Sequence, residues 1–230
     1  MTYILTNDDG IDAPGLAALR DAVVHYGIQD SVVVAPNSQL SGCSHQLTRG
    51  RSIMIERRHD RAIAIGGTPA DCTRVAISHL HPDTRWVLSG INAGGNLGSD
   101  VYVSGTVAAV REAALHRIPG IAFSQYIKRG RDIDWAIATQ LVLQVLQRLL
   151  DEPWKEGIFW NVNLPHLSPD DPEPSMMLCD LCTQPLPLNH ESDGSFIRYG
   201  GDYHLRPRDS GADVEVCFSG NIAVTQLRLW

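Results

Sequence analysis

Two adjacent carboxylates stand near the start of the chain, in the stretch LTNDDGIDAPGL at residues 5–16. Asp8 and Asp9 directly follow a short apolar run at residues 3–5. Two like charges about 4 Å apart repel each other by on the order of 4 kcal/mol at an effective dielectric constant of about 20. Such a pair is expected either in a solvated turn, which Gly10 would favour, or where a cation offsets the repulsion.

Two further polar segments follow apolar runs and add other oxygen atoms. PNSQLSGCSHQLT at 36–48 contains Ser41, and SGINAGGNLGSD at 89–100 contains Asn92. Ligands of an open parallel sheet bind beyond the carboxyl ends of its strands, so we expect these loops to share one rim. Carboxylate, hydroxyl and amide oxygens together suit Mg²⁺, Mn²⁺ or Ca²⁺ and leave positions open for water and substrate. Taken singly, Ser41 is more typical of a loop hydroxyl, and Asn92 of an amide that stabilises a turn.

A glycine-rich segment offers a way to hold phosphate. Four glycines in SGINAGGNLGSD precede Ser104-Gly105-Thr106, which opens a predicted helix. A helix N-terminus presents free N–H groups and a partial positive charge to an anion. A bridging cation and these N–H groups would together bind phosphate without basic side chains. The alternative is an ordinary glycine loop followed by a serine N-cap.

Several common motifs of nucleotide-binding and hydrolytic sites do not occur in the sequence, and the roles of a few other residues stay open. GINAGGNLG does not fit G-x-G-x-x-G, and neither a P-loop nor a G-x-S-x-G elbow occurs. His45 could act as a general acid, support Ser41, or be a solvated loop histidine. Cys179 and Cys182 form a C-x-x-C with no second pair, which favours ordinary cysteines over a zinc or redox site.

Strand and helix patterns alternate through the first two-thirds of the chain. Alternation at this spacing predicts an α/β fold whose mostly parallel sheet is covered on both faces. Strands are predicted at 2–6, 31–36, 85–90, 120–124 and 158–165, a hairpin at 51–58 and 61–67, and helices at 14–26, 68–80, 104–117 and 134–150.

The pattern changes after the proline- and aspartate-rich segment PHLSPDDPEPS at 165–175. The remaining residues resemble short strands and turns without a convincing helix. We therefore predict a catalytic core at 1–165 and a β-rich extension at 166–230 that returns to the core, with oligomer contacts as a candidate role for the extension.

Composition narrows the class of protein. The chain of 230 residues carries a net charge of −7, with 43% hydrophobic and 20% charged residues. The absence of a basic cluster argues against binding a nucleic-acid polymer. No apolar run is long enough for a membrane span, and the N-terminus does not resemble a signal peptide. Five cysteines, an odd number, argue against a disulfide framework. These features predict a cytoplasmic enzyme or binding protein.

Five segments, taken in their order along the chain, resemble the SurE family, the stationary-phase survival proteins. They are TNDDGIDAPGL (6–16), VVAPNSQLSGCSHQLT (33–48), GGTPADCTRVAI (66–77), LSGINAGGNLGSDVYVSGTVAAVREAA (88–114) and GIAFS (120–124). NVNLP (161–165) and GADVEVCFSGNIAVTQL (211–227) are similar more weakly. Leu40 and Cys43 stand where many members carry a basic and a small residue, which bears on substrate preference.

The resemblance implies a Rossmann-like three-layer core with a C-terminal β extension, assembled as a homodimer or homotetramer. It implies a phosphatase that hydrolyses nucleoside monophosphates at the 5′ or the 3′ position, with one divalent cation per subunit, Mg²⁺ or Mn²⁺. Its metal ligands fall on Asp8, Asp9, Ser41 and Asn92, and catalysis is assigned to Asp8, Asp9 and Asn92. Its phosphate contacts fall on Asn96, Ser104, Gly105 and Thr106.

Two other hypotheses fit the same residues. One is a sensor that binds nucleotide and metal without catalysis. The other is a phosphatase in which Asp8 or Asp9 forms a covalent aspartyl-phosphate. Phosphatases of that kind carry two aspartates separated by one residue, whereas here the two are adjacent.

Overall fold

The computed structural model describes residues 1–200 and 202–230, and its described part contains eleven strands and five α-helices. The strands are β1 (Tyr3–Thr6), β2 (Ser31–Pro36), β3 (Ile55–His59), β4 (Ala62–Ile65), β5 (Trp86–Ala93), β6 (Gly120–Gln125), β7 (Ile158–Leu164), β8 (Met176–Leu178), β9 (His190–Ser192), β10 (Ile197–Tyr199) and β11 (Ile222–Arg228). The helices are α1 (Pro14–Tyr26), α2 (Pro69–Val75), α3 (Gly105–Leu115), α4 (Trp135–Leu149) and α5 (Asp213–Phe218).

Nine strands form one sheet in the order β3-β4-β2-β1-β5-β6-β7-β11-β8. The strands from β4 to β7 in that order pair in parallel, while β3 pairs antiparallel with β4, and β11 antiparallel with β7. The chain leaves β1 toward β2 on one side and later returns as β5 on its other side. The strand order therefore reverses between β1 and β5, which is where an α/β sheet opens a crevice for ligands.

Two helices cover each face of the sheet, which gives three layers. Helix α1 begins with Pro14 in its first turn, buries Leu16, Leu19 and Val23, and ends at Gly27, whose φ of 98° requires glycine. It packs with α4 over one hydrophobic core, while α2 and α3 pack over a second core on the opposite face. The predicted α/β class and three-layer arrangement are confirmed.

The structure corrects three predicted boundaries. Strand β5 continues to Ala93, so Asn92 lies at the end of a strand rather than in a loop. The helix predicted at 68–80 becomes a π-helical turn from Ala76. The stretch DVEVCF, predicted without a helix, forms α5. The Asp213 carboxylate accepts hydrogen bonds from the N–H groups of Gly98 and Cys182 and so fixes the start of α5 from distant parts of the chain.

Part of the last 65 residues (166–230) joins the main sheet, and part forms a separate hairpin. Strand β11 lies between β7 and β8 in the main sheet, whereas β9 and β10 form a separate antiparallel hairpin. The hairpin region carries exposed Phe196, Ile197 and Tyr199. Within the described part of the chain, every helix is too short or too polar to cross a bilayer.

Candidate active site

The two adjacent carboxylates lie in a tight turn directly after β1, at the reversal of strand order. The side chain of Asn7 accepts a hydrogen bond from the N–H of Gly10 and donates one to its carbonyl, which closes the turn. The turn alternative is thus correct for the backbone. However, Asp8 is only 4% exposed, so its carboxylate is not a solvated one. The turn presents Asp8 inward and leaves Asp9 half-buried.

Asp8 is held between the loop after β2 and the start of α3. Its carbonyl accepts the N–H of Leu40 at 2.7 Å, and its carboxylate accepts the hydroxyl of Thr106 at 2.5 Å. A Cβ added to Gly105 would lie 2.8 Å from the Cβ of Asp8 and 2.9 Å from the Sγ of Cys43, so only glycine fits there. Two predicted site residues, Gly105 and Thr106, therefore lie directly against the aspartate.

Asp9 connects the loop after β2 to the end of β5. One of its carboxylate oxygens accepts the N–H of Ala93 at 3.1 Å, which brings the end of β5 to the aspartate pair. The other accepts the side-chain amide of Gln39 at 3.3 Å, and the same amide donates to the Ser41 hydroxyl at 3.0 Å. A continuous set of contacts therefore joins Asp8, Asp9 and Ser41 to Ala93, the neighbour of Asn92 at the end of β5.

Burial and charge act together on the aspartate pair. Burial raises the pKa of Asp8 to about 6, the hydroxyl of Thr106 lowers it in part, and the negative charge of Asp9 raises it further. The negative charge of the pair is therefore costly when no cation lies beside it.

Asn92 completes the oxygen set from the end of β5. The pairing of β5 with β6 shifts register between Ser89 and Asn92, and such an irregularity re-aims the side chains that follow it. The amide nitrogen of Asn92 donates to the carbonyl of Gly94 at 2.7 Å. Among the described residues, no hydrogen bond ends on its amide oxygen.

The donor set fits a hard divalent cation. It offers two carboxylates, a hydroxyl and an amide oxygen, the ligand types that Mg²⁺ and Mn²⁺ prefer. Within the described residues, no group of three or more His, Cys, Asp or Glu side chains is arranged so that it could hold a metal ion. The predicted set contains only two such side chains and relies on neutral oxygens for the rest.

The start of α3 carries the other predicted phosphate contacts. Ser104 is the N-cap of α3, as predicted, and its hydroxyl accepts the N–H of Val107 at 3.1 Å. The backbone of Thr106, the second residue of α3, helps to lower the pKa of Asp8. The first turn of α3 therefore directs its partial positive charge toward the aspartate pair.

Asn96 is positioned by residues that the sequence reasoning missed. Its N–H donates to the side chain of Asn163 at 2.8 Å, and its carbonyl accepts the amides of Asn161 and Asn163 at 2.8 and 3.0 Å. Its own side chain donates to the Ser124 hydroxyl at 2.7 Å. Asn161 and Asn163, which we call the Asn161–Asn163 clamp, thereby fix the main chain of the glycine-rich loop. The signal in the sequence was the pair of asparagines inside the apolar strand β7.

His45 is neither solvated nor within the aspartate cluster. Its Nε2 lies 2.9 Å from the carboxylate of Glu112, whose side chain is fully buried in α3. Arg74 and His116 contact the same carboxylate at 2.6 and 3.1 Å. Burial alone would raise the pKa of Glu112, but the hydrogen bonds from His45 and Arg74 outweigh it and hold that pKa below its ordinary value. His45 thereby ties the loop of Ser41 to α3.

Comparison with known proteins shows which family the chain resembles. The family model described as survival protein SurE matches residues 3–185. A putative 5′-nucleotidase of Nostoc sp. is 54% identical over the full length of both chains. The protein named 5′-nucleotidase SurE 1 of Burkholderia lata is 37% identical, over 98% of this chain and 89% of its own. The crystal structure of a SurE protein from Aquifex aeolicus superposes with a TM-score of 0.86 at 29% identity, covering 99% of this chain and 93% of that one.

Proposed function

The chain belongs to the SurE family, and from this premise we propose that it is a 5′-nucleotidase, a phosphoric monoester hydrolase that depends on a divalent cation. The proposed substrates are nucleoside monophosphates with the phosphate at the 5′ or the 3′ position. The products are the nucleoside and inorganic phosphate. The observation that carries the proposal is the continuous set of contacts that joins Asp8, Asp9 and Ser41 to the end of β5 and the first turn of α3.

The proposed ligands of one Mg²⁺ or Mn²⁺ ion are Asp8, Asp9, Ser41 and Asn92. Bound there, a divalent cation supplies Lewis-acid polarisation of the phosphoryl group and a lowered pKa of water. Support for this assignment comes from the donor chemistry and from the cost of burying Asp8 beside Asp9 without a cation.

The chain's own groups would bind and orient the ester. The N–H group of Gly105 at the start of α3 would donate to a phosphoryl oxygen and stabilise the charge that it gains in the transition state. Thr106 would hold the Asp8 carboxylate in place beside it. The Asn161–Asn163 clamp would keep Asn96 in place beside the phosphate. Asp9, the less buried of the two aspartates, would accept a hydrogen bond from the attacking water and align it opposite the leaving oxygen.

A metal-by-substrate panel tests the proposal. Phosphate release is measured from AMP, GMP and p-nitrophenyl phosphate with Mg²⁺, with Mn²⁺ and with EDTA. We expect release with at least one metal and none with EDTA. Absence of release under every condition would instead favour the nucleotide sensor. A phosphoryl-enzyme trapped by rapid acid quench would favour the covalent aspartyl route.

The variant Asp8→Asn tests the residue assignment. We expect turnover to fall about 100-fold or more, since even outer partners of metal ligands cost 10- to 100-fold when they are removed. The matched control is Asp21→Asn, which removes an exposed carboxylate on α1 and should keep full turnover. Circular dichroism checks that both variants fold. Wild-type turnover and metal affinity in Asp8→Asn would refute the assignment.

We also propose a homodimer or homotetramer in the cytoplasm, in which the extension at 166–230 contributes contacts. The exposed apolar side chains of Phe196, Ile197 and Tyr199 on the β9–β10 region support self-association. The five cysteines are free, as in proteins of a reducing compartment. Analytical ultracentrifugation measures the assembly, and a monomer at micromolar concentration would contradict it.

A further inference from the structure

A groove adjoins the aspartate pair on the side of α1 and α4. It has a volume of about 440 Å³, within the ~300–1,000 Å³ range of small-molecule sites. The turn at Asp9–Gly15 forms one wall and the loop Asn37–Gln39 another. Ala93, whose N–H is bonded to Asp9, and Trp135, at the start of α4, complete the lining. The groove therefore begins at the proposed metal site and ends at an indole ring.

Trp135 reaches this position because α1 and α4 approach closely there. A Cβ added to Gly15 would lie 3.0 Å from the Cη2 atom of Trp135 and 1.9 Å from the carbonyl oxygen of Ile91. The glycine lets α1 lie against the end of β5 and the indole at once. Trp135 is half-buried, so part of its ring remains available to a ligand.

The charge of the groove selects what it can hold. Among the described residues that line it, the charged side chains are Asp9 and Asp12, and there is no lysine, arginine or histidine. A second phosphate group would meet carboxylates there. A neutral group with a flat ring and several hydroxyl and amide groups would meet the indole, Asp12, Asn37 and Ser38.

We propose that this groove is the nucleoside subsite of the enzyme and that Trp135 stacks on the nucleobase. The inference rests on the proposed function, because it places the nucleoside portion of the substrate beside the ester. The phosphate lies at the aspartate pair, and the ribose and base extend toward α4. Trp135 is then a specificity-determining residue that favours nucleotides over phosphate esters without a base.

Selectivity between two esters tests the stacking. AMP and ribose 5-phosphate share the phosphate and the sugar, but only AMP carries a base. Base–aromatic stacking removed by alanine weakens binding roughly 5- to 150-fold. For Trp135→Ala we expect kcat/KM for AMP to fall by that factor relative to kcat/KM for ribose 5-phosphate. Trp135→Phe, which keeps an aromatic ring, should restore most of the selectivity. An equal fall for both esters, or no fall, would overturn the proposal.

A binding measurement keeps the test independent of turnover. Adenosine, which has no phosphate, should quench the intrinsic tryptophan fluorescence of the wild-type protein. The quench should disappear in Trp135→Phe and persist in Trp154→Phe, the matched control, since Trp154 is also half-buried but bonds to the Ile158 carbonyl, away from the groove. No quench in the wild type, or a quench that survives Trp135→Phe, would overturn the subsite even if phosphate release is observed. Adenosine binding without any phosphate release would support the subsite and contradict the phosphatase.

Discussion

The substitution Glu112→Gln probes the buried carboxylate that ties the loop of Ser41 to α3. The Glu112 side chain is fully buried and accepts contacts from His45, Arg74 and His116 at 2.9, 2.6 and 3.1 Å. Glutamine keeps the shape but removes the charge and turns an NH₂ donor toward groups that are themselves donors. One of the two oxygens is then lost as an acceptor, so at least one of the three partners loses its hydrogen bond.

The expected loss of stability follows from the exposure of those partners. A hydrogen bond to a charged group contributes about 1.5–3 kcal/mol. Arg74 and His116 have side chains 45% and 47% exposed and regain water, so most of the loss comes from His45, at 19%. We expect the free energy of unfolding to fall by about 3 kcal/mol. In a chain of this length that lowers the melting temperature by roughly 6–12 °C.

The pH dependence gives the sign of the effect. The pKa of Glu112 is lowered from its ordinary value of 4.5 in the folded protein. Its stabilising contribution is therefore complete above about pH 4.5 and is lost as the pH falls through the folded-state pKa. The difference in unfolding free energy between wild type and Glu112→Gln should therefore shrink as the pH falls below 4.5.

Urea unfolding followed by circular dichroism, at a series of pH values, measures both quantities. The matched control is Glu156→Gln, because Glu156 pairs with Arg117 on the surface, where both side chains are more than half exposed. That pair should contribute less than about 1 kcal/mol. If Glu112→Gln and Glu156→Gln were equally stable at pH 7, the contacts of the buried Glu112 carboxylate would have no energetic role.

Three further substitutions probe the packing around the site, each measured by urea unfolding. Gly15→Ala should lose about 2 kcal/mol or more, although alanine is the better helix former by about 1 kcal/mol, because its Cβ would overlap the carbonyl of Ile91; a gain would contradict the close approach. Arg206→Ala should lose about 3–5 kcal/mol, because the fully buried guanidinium bonds to Asp100 at 2.8 Å and the carboxylate would be left without it; a neutral result would contradict the ion pair. Leu146→Ala should lose about 2–5 kcal/mol, because the side chain is fully buried between α4 and the sheet; a loss below 1 kcal/mol would place it outside the core.

The alternating first part of the fold was predictable because local patterns and tertiary structure agree there. Pro14 opens α1 and Ser104 caps α3, and both boundaries follow from backbone chemistry that neighbouring residues supply. The strands of the parallel sheet are mostly apolar runs, which a sheet covered on both faces buries. The expectation that the polar loops share one rim then followed from the rule that ligands bind beyond the carboxyl ends of parallel strands.

The features that the sequence did not predict have a different origin. The stretch DVEVCF has two β-branched residues and an alternating pattern, so its local preference does not favour a helix. The Asp213 carboxylate and its bonds to Gly98 and Cys182 decide its conformation, and these partners lie far away in sequence. The Asn161–Asn163 clamp was missed for the same reason, since its partner Asn96 is on another strand's loop. Local preference cannot indicate contacts that only the folded chain creates.

The Asn161–Asn163 clamp is the last part of the site to form as the chain is synthesised. The aspartates and the start of α3 leave the ribosome first, whereas Asn161 and Asn163 follow Asn96 by 65 and 67 residues. At about 5–20 residues per second, that delay is roughly 3–13 s. Through this interval a nascent chain would carry the proposed oxygen ligands beside a glycine-rich loop that the asparagines do not yet hold. Competence to handle the ester would then arrive only when β7 docks, late in translation.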